Sequence, residues 1–151
     1  MAETIKKSLD PYESGIHTTA PAHRRLPLEA RFVAVSAIRK VERGLTLIHP
    51  RTRCIKRHEV HELILTDEMD VAPGGPVNRC HYLGFVEFMA SGLLIQGDPL
   101  MIDGKSVGTL AGFDECHFPN HYNIVVKGPV GMTGAELGLD PGSPVVFVPW
   151  A

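Results

Sequence analysis

Several things are missing from this sequence, and each absence excludes a class of function. No stretch approaches the roughly 20 consecutive apolar residues that carry a helix across a bilayer, so no membrane span is expected. The opening residues MAETIKKSLDPYESG hold charge without an apolar centre, which is not the pattern of a secretory signal. Cysteine is scarce: Cys54, Cys80 and Cys116 are odd in number and never spaced Cys-x-x-Cys, so no disulfide framework is expected. A reducing, cytoplasmic location follows as the expectation. Charge of one sign is also missing. The formal net charge of -2 gives no electrostatic footing for nucleic acid or an acidic membrane surface. The basic stretch RTRCIKRH (51–58) is the local exception and reads as a solvated loop before a strand. There is no P-loop, no dinucleotide fingerprint and no Gly-x-Ser-x-Gly elbow.

What is present is turn chemistry. Fifteen glycines and twelve prolines among 151 residues predict many turns and few long helices. Residues 1–28 lack hydrophobic periodicity and are expected to form an N-terminal arm, free or laid across a second copy in a homo-oligomer. Residues 29–151 are expected to form one domain with a real core. RFVAVSAIRKV (31–41) and LTLIH (45–49) read as a hairpin turning at Glu42-Arg43-Gly44. EVHELILT (59–66), CHYLGFVEFMA (80–90), PLMI and KSVGTLAGF (105–113) follow, the last two joined by an Asp103-Gly104 turn. YNIVVKG (122–128) and SPVVFVP (143–149) complete the strands. TGAELG (133–138) is the helix candidate, with Thr133 and Glu136 spaced as a capping box and Gly138 as the stop. The prediction is a mainly β protein: a small closed or nearly closed barrel of about eight strands with one short helix near the C-terminus.

The segment TGAELGLDPGSPVVFVP (133–149) resembles the closing module of cradle-loop and double-psi β-barrels, and the C-terminal end of archaeal CTP-dependent riboflavin kinases is similar. The resemblance implies a barrel. It does not extend to the kinases' Gly-Thr-Leu-Asn motif, because Gly108-Thr109-Leu110 is followed here by Ala111. Fold alone does not give function.

Three segments carry side chains with chemistry. In FDECHFPNHYNIVV (113–126), Glu115 and His117 share one face of an extended backbone, and a turn at Pro119-Asn120 would swing His121 back toward His117. Such donors suit a divalent metal such as zinc; the alternative is a loop that satisfies its own backbone. In RHEVHELIL the histidines are three apart, not the four a zinc-protease helix needs, and on a strand they face opposite ways. Alternation groups Glu59 and His61 with Leu63 and Leu65, so His61 is the inward histidine. In NRCHYLGFVEF, alternation places His81 and Glu87 with Leu83 and Phe85; Glu87 is either an inward carboxylate or a solvent-facing one at the strand end.

The expected catalytic set is His61, His81, Glu115 and His117; the expected metal ligands are His117, His121, Glu115 and His61. These would converge at one barrel mouth beneath the 67–79 loop, giving a small-molecule-binding barrel with metal-assisted or acid–base chemistry of isomerase, lyase or hydrolase type. The alternative is a non-enzymatic ligand-binding or oligomeric interaction module.

Overall fold

Residues 10–21 and 23–150 are described by a computed structural model. Period-two alternation of β-branched and aromatic residues, cut by Gly and Pro turns, produces the strands. They are β1 (Leu28–Val35), β2 (Arg39–Lys40), β3 (Leu45–Thr46), β4 (Thr52–Ile55), β5 (Val60–Thr66) and β6 (Pro76–Val77), then β7 (Cys80–Phe88), β8 (Gly92–Ile95), β9 (Pro99–Ile102), β10 (Lys105–Asp114), β11 (Asn123–Lys127) and β12 (Pro144–Phe147). The main sheet runs β1-β12-β9-β10-β11-β5-β7, and β1 pairs with β7 to close a 7-stranded barrel; β2 lies outside, on β7. Closure removes the exposed edges that an open sheet would offer. The expected barrel is therefore present.

Its interior is filled from every barrel strand, by Phe32 of β1, Leu63 and Leu65 of β5, Leu83 and Phe88 of β7, Leu100 of β9, Phe113 of β10, Ile124 of β11 and Phe147 of β12. A second apolar cluster covers the outer face of β5, β7, β10 and β11, where Leu45, Leu47, Val71 and Val77 pack on Ile64, Tyr82, Ala111 and Val125. The 67–79 loop belongs to this outer layer, with β3 pairing β6.

Several expectations need correction. Residues 133–138 form a turn, and no helix occurs among the described residues. The capping box does form: Thr133 N–H donates to Glu136 Oε1 at 3.0 Å and Glu136 N–H to Thr133 Oγ1 at 3.2 Å. Gly138, at φ +75°, stops the chain after that single turn. The expected hairpin of 31–41 with 45–49 is also absent. The first segment breaks after Val35, β2 pairs with β7, and β3 pairs with β6.

A bulge divides β7. Leu63 faces Gly84 while Ile64 faces Tyr82, so Leu83 is the extra residue. Gly84 sits at φ +138°, and a Cβ there would lie 2.0 Å from the Ala34 carbonyl oxygen. The phase reverses across it: His81 and Leu83 face one way, Glu87 the other. Glu87 lies outside, bonded to Arg31 at 2.9 Å and to His58 at 2.7 Å, and the Arg31 hydrogen bond followed by that of His58 lowers its carboxyl pKa. The solvent-facing alternative for Glu87 is the one observed.

The first nine residues of the expected arm lie outside the described residues. Within the rest, Arg25 makes a two-pronged bond to the buried Asp98 at 2.6 Å on each side and donates to the Leu93 carbonyl at 2.8 Å. The segment before β1 is thus fastened to the barrel of its own chain.

Candidate functional site

The parallel pairing of β5 with β11 builds the site. Their starts lie side by side, with Glu62 opposite Asn123, which brings His61 beside Tyr122 and His121 beside Glu62. Alternation turns His61 inward with Leu63 and Leu65, against Phe88, so the imidazole stands at the end of the barrel core. β4 delivers Arg53, whose guanidinium lies 3.8 Å from the centre of the Tyr122 ring, a close cation–π contact. Glu59, in the turn before β5, accepts from Arg53 at 3.1 Å and from the Lys56 N–H at 2.6 Å. Together with Val60, Phe118, Pro119 and Asn120 these side chains line a cavity of about 280 Å³.

The protonation of this mouth follows from its hydrogen bonds. Nδ1 of His61 accepts the Tyr122 N–H at 3.0 Å, so in the neutral ring the proton sits on Nε2. Burial, reinforced by the Arg53 charge, pulls the His61 pKa down to about 4, so the ring is neutral at pH 7. Nδ1 of His121 accepts from the Asn120 side-chain amide at 2.8 Å, again leaving the proton on Nε2. Burial and then the neighbouring His117 lower its pKa as well. Both Nε2 atoms are buried without a hydrogen-bond partner, and so is Nε of Arg53. The flanking carboxylates are out of bonding reach: Glu59 Oε1 is 3.8 Å from His61 Nε2 and Glu62 Oε1 is 3.9 Å from His121 Nε2. Three of the side chains that line this cavity, Arg53, His61 and His121, therefore each hold a buried N–H without a partner.

The remaining expected residues are placed as follows. His117 is exposed, stacks on His121 with ring centres 5.0 Å apart, and lines an adjoining hollow with Arg43, Glu62 and Tyr82. Glu115 is exposed and faces a different hollow, with His49 and Asp114. His81 is buried at the opposite end of β5 and β7, opposite Leu65, five residues along β7 from the partner of His61, roughly 15 Å at strand rise. The structure thus brings together His61, His121 and His117 and keeps Glu115 and His81 apart from them. Nor does the 67–79 loop line the His61 cavity.

A divalent metal fits this set poorly. A ligating histidine offers one ring nitrogen's lone pair and donates from the other. In His61 and His121 the Nδ1 lone pair already receives an N–H, and Nε2 carries the proton. Among the described residues, no group of three or more His, Cys, Asp or Glu side chains is placed to hold a metal ion. Two of the thiols are poor nucleophiles here: burial pushes Cys80 up to about 12 and also raises Cys116.

Sequence reasoning did not assign Arg53, Glu59 or Tyr122 to the site. Glu59 was visible as a face-mate of His61; Arg53 and Tyr122 arrive through non-local pairing that no local pattern encodes.

A family model described as a family of unknown function, DUF6917, matches residues 22–148. The chain belongs to DUF6917. Searches among curated proteins and among solved structures each return no match. The DUF6917 match spans Arg53, Glu59, His61, His121 and Tyr122, so the whole mouth lies within the family region. Among the described residues no helix is long and apolar enough to cross a membrane.

Proposed function

We propose that this DUF6917 barrel is a small-molecule-binding protein whose ligand enters the mouth between Arg53, His61 and His121. One observation carries the reading: three side chains that line the same cavity each hold a buried N–H without a partner. Leaving a buried donor unmade costs about 1–3 kcal/mol, so a site holding three of them is poised to gain from an acceptor that fills it. The resemblance of the closing segment to cradle-loop barrels bears on fold and adds nothing about the ligand.

The test is a fragment mixture screened by NMR on the side-chain signals of His61, His121 and His81. Ligands are expected to move the His61 and His121 rings together and to leave His81 still. Fragments that bind while those two rings stay unmoved would place the site elsewhere, and the reading fails.

Acid–base chemistry is a second reading, and Glu62 is the residue that favours it. Burial raises the Glu62 carboxyl pKa, offset in part by Arg43, and His121 Nε2 stands 3.9 Å away. The two imidazoles have their lone pairs engaged, so Glu62 is the side chain free to move a proton. Conversion of a bound ligand, lost in Glu62→Gln while binding persists, is the outcome this reading requires.

A further inference from the structure

We infer that the ligand of the mouth is a small monocarboxylic acid bound as its anion, the carboxylate receiving the Nε2–H groups of His61 and His121 and the Nε–H of Arg53. This rests on the mouth reading proposed above and adds the chemical class.

On the side chains that line the cavity the unpartnered atoms are donors, His61 Nε2, His121 Nε2 and Arg53 Nε; the unpartnered acceptor Asn123 Oδ1 belongs to a residue outside that lining. The matching group must therefore be acceptor-only, and an ionised carboxylate is that, with about four lone-pair sites on two oxygens. A hydroxyl or primary amide would bring donors as well as acceptors to a lining that already presents three donors. Glu59 is already occupied, one oxygen by Arg53 and the other by the Lys56 N–H.

Charge narrows the class further. Arg53 supplies a cation with Nε still unbonded, and the two imidazoles are neutral and repel nothing. The glutamates set the upper limit. Glu59 and Glu62 each lie just under 4 Å from an imidazole Nε2, at 3.8 and 3.9 Å. A dianion such as phosphate would bring a second negative charge between them, where a monoanion brings one. Size and lining complete the description. The cavity of about 280 Å³ falls just below the range of roughly 300–1,000 Å³ typical of drug-sized ligands. Val60, Phe118 and Pro119 add apolar surface to its lining, which suits a short hydrocarbon or aryl body.

The experiment titrates the full chain with benzoate, its neutral isostere benzamide, and inorganic phosphate, following the His61 and His121 ring signals by NMR. Benzoate is expected to shift both rings and to raise the His61 pKa, because an anion beside the ring favours its protonated form. Its binding therefore tightens as the pH is lowered from 7 toward 5. Benzamide should bind at least about tenfold more weakly, the loss expected for a charge-assisted hydrogen bond. Arg53→Gln should weaken benzoate by at least about tenfold. Glu59→Gln, which removes a nearby negative charge and keeps the oxygen for Lys56, should tighten it; this variant serves if Arg53→Gln disturbs the fold. Benzamide binding as tightly as benzoate overturns the acid and leaves the mouth reading standing. Phosphate binding more tightly than benzoate at the same rings overturns the monocarboxylate class. If none of the three moves either ring, the acid inference falls; if the fragment screen is silent at these rings as well, the mouth reading falls with it.

Discussion

The two ends of the barrel carry the same local device and put it to different use. At each end a buried histidine accepts a hydrogen bond at Nδ1, His61 from the Tyr122 N–H and His81 from Arg39 Nε at 3.0 Å. At each end Nε2 is buried without a partner and the ring is held neutral, by burial first and by a neighbouring arginine second. Beyond that they differ. His81 Nε2 presses on the backbone of Gly131, where a Cβ would sit 2.2 Å away, and the end is finished by the 133–138 turn and an Arg39–Glu136 ion pair. His61 lines a cavity together with Arg53 and His121, which also hold buried donors without partners. A buried imidazole with a depressed pKa is therefore not enough to mark a site. Three side chains with unmet donors on the lining of one cavity separate the mouth from the closed end.

The largest expected effect comes from the feature that sets both ends. Gly84→Ala places a methyl group 2.0 Å from the Ala34 carbonyl oxygen at a φ of +138°. Removing the bulge would swing His81 out of phase with His61. A loss of about 4 kcal/mol or more is expected in urea unfolding, up to failure to fold. An alanine there that unfolds like the parent would show that the β7 phase reversal is not fixed by this glycine.

Gly131→Ala probes the closed end alone. Its methyl group collides with the His81 ring, and a loss of about 1–3 kcal/mol is expected from overpacking. Adding His81→Ala should recover part of that loss, a non-additivity that a double-mutant cycle measures. The His61 ring signal should stay where it was. Movement of that signal would mean that the two ends are coupled and the comparison is false.

The smallest effect is the pH dependence of stability. The His61 pKa falls from 6.5 in the unfolded chain to about 4 in the fold, so between those values the unfolded state binds the extra proton. Stability is therefore retained above pH 6.5 and declines as the pH is lowered toward 4, by on the order of 2 kcal/mol after allowance for solvent at the mouth. His81 acts in the same direction with a smaller shift. Denaturant midpoints measured from pH 7 to 4 should flatten more in His61→Gln than in His81→Gln. The reverse order would make the closed end the stronger titrating site.

Much of the fold was legible because alternation and turn residues act locally. Asp103 and Gly104 both take positive φ, 52° and 73°, as a two-residue hairpin turn between β9 and β10 requires. The inward face of His61 was legible for the same reason. The β7 bulge was not, because one extra residue leaves the hydrophobic pattern of CHYLGFVEF readable in either phase and only the partner strands decide. The helix was over-read: a capping box fixes where a turn starts, while Gly134 and Gly138 leave nothing to propagate it. For the site, the histidines were visible but their sorting was not. His81 and His61 lie on one face of strands paired in sequence space, and which end of a barrel each reaches is a matter of register. Arg53 comes from a strand paired with β8, outside the main sheet altogether.

The ladder of β5 on β11, the parallel pairing among the described strands, also sets an order of events. Everything from β6 to β10 lies between the two strands in the chain, and pairings of such separation form late because the loop must close first. His61 and His121 become neighbours only when that step is complete. Whatever occupies the mouth therefore binds the finished barrel and no earlier species, which makes occupancy a check on completion and draws the folding equilibrium toward the native state by mass action.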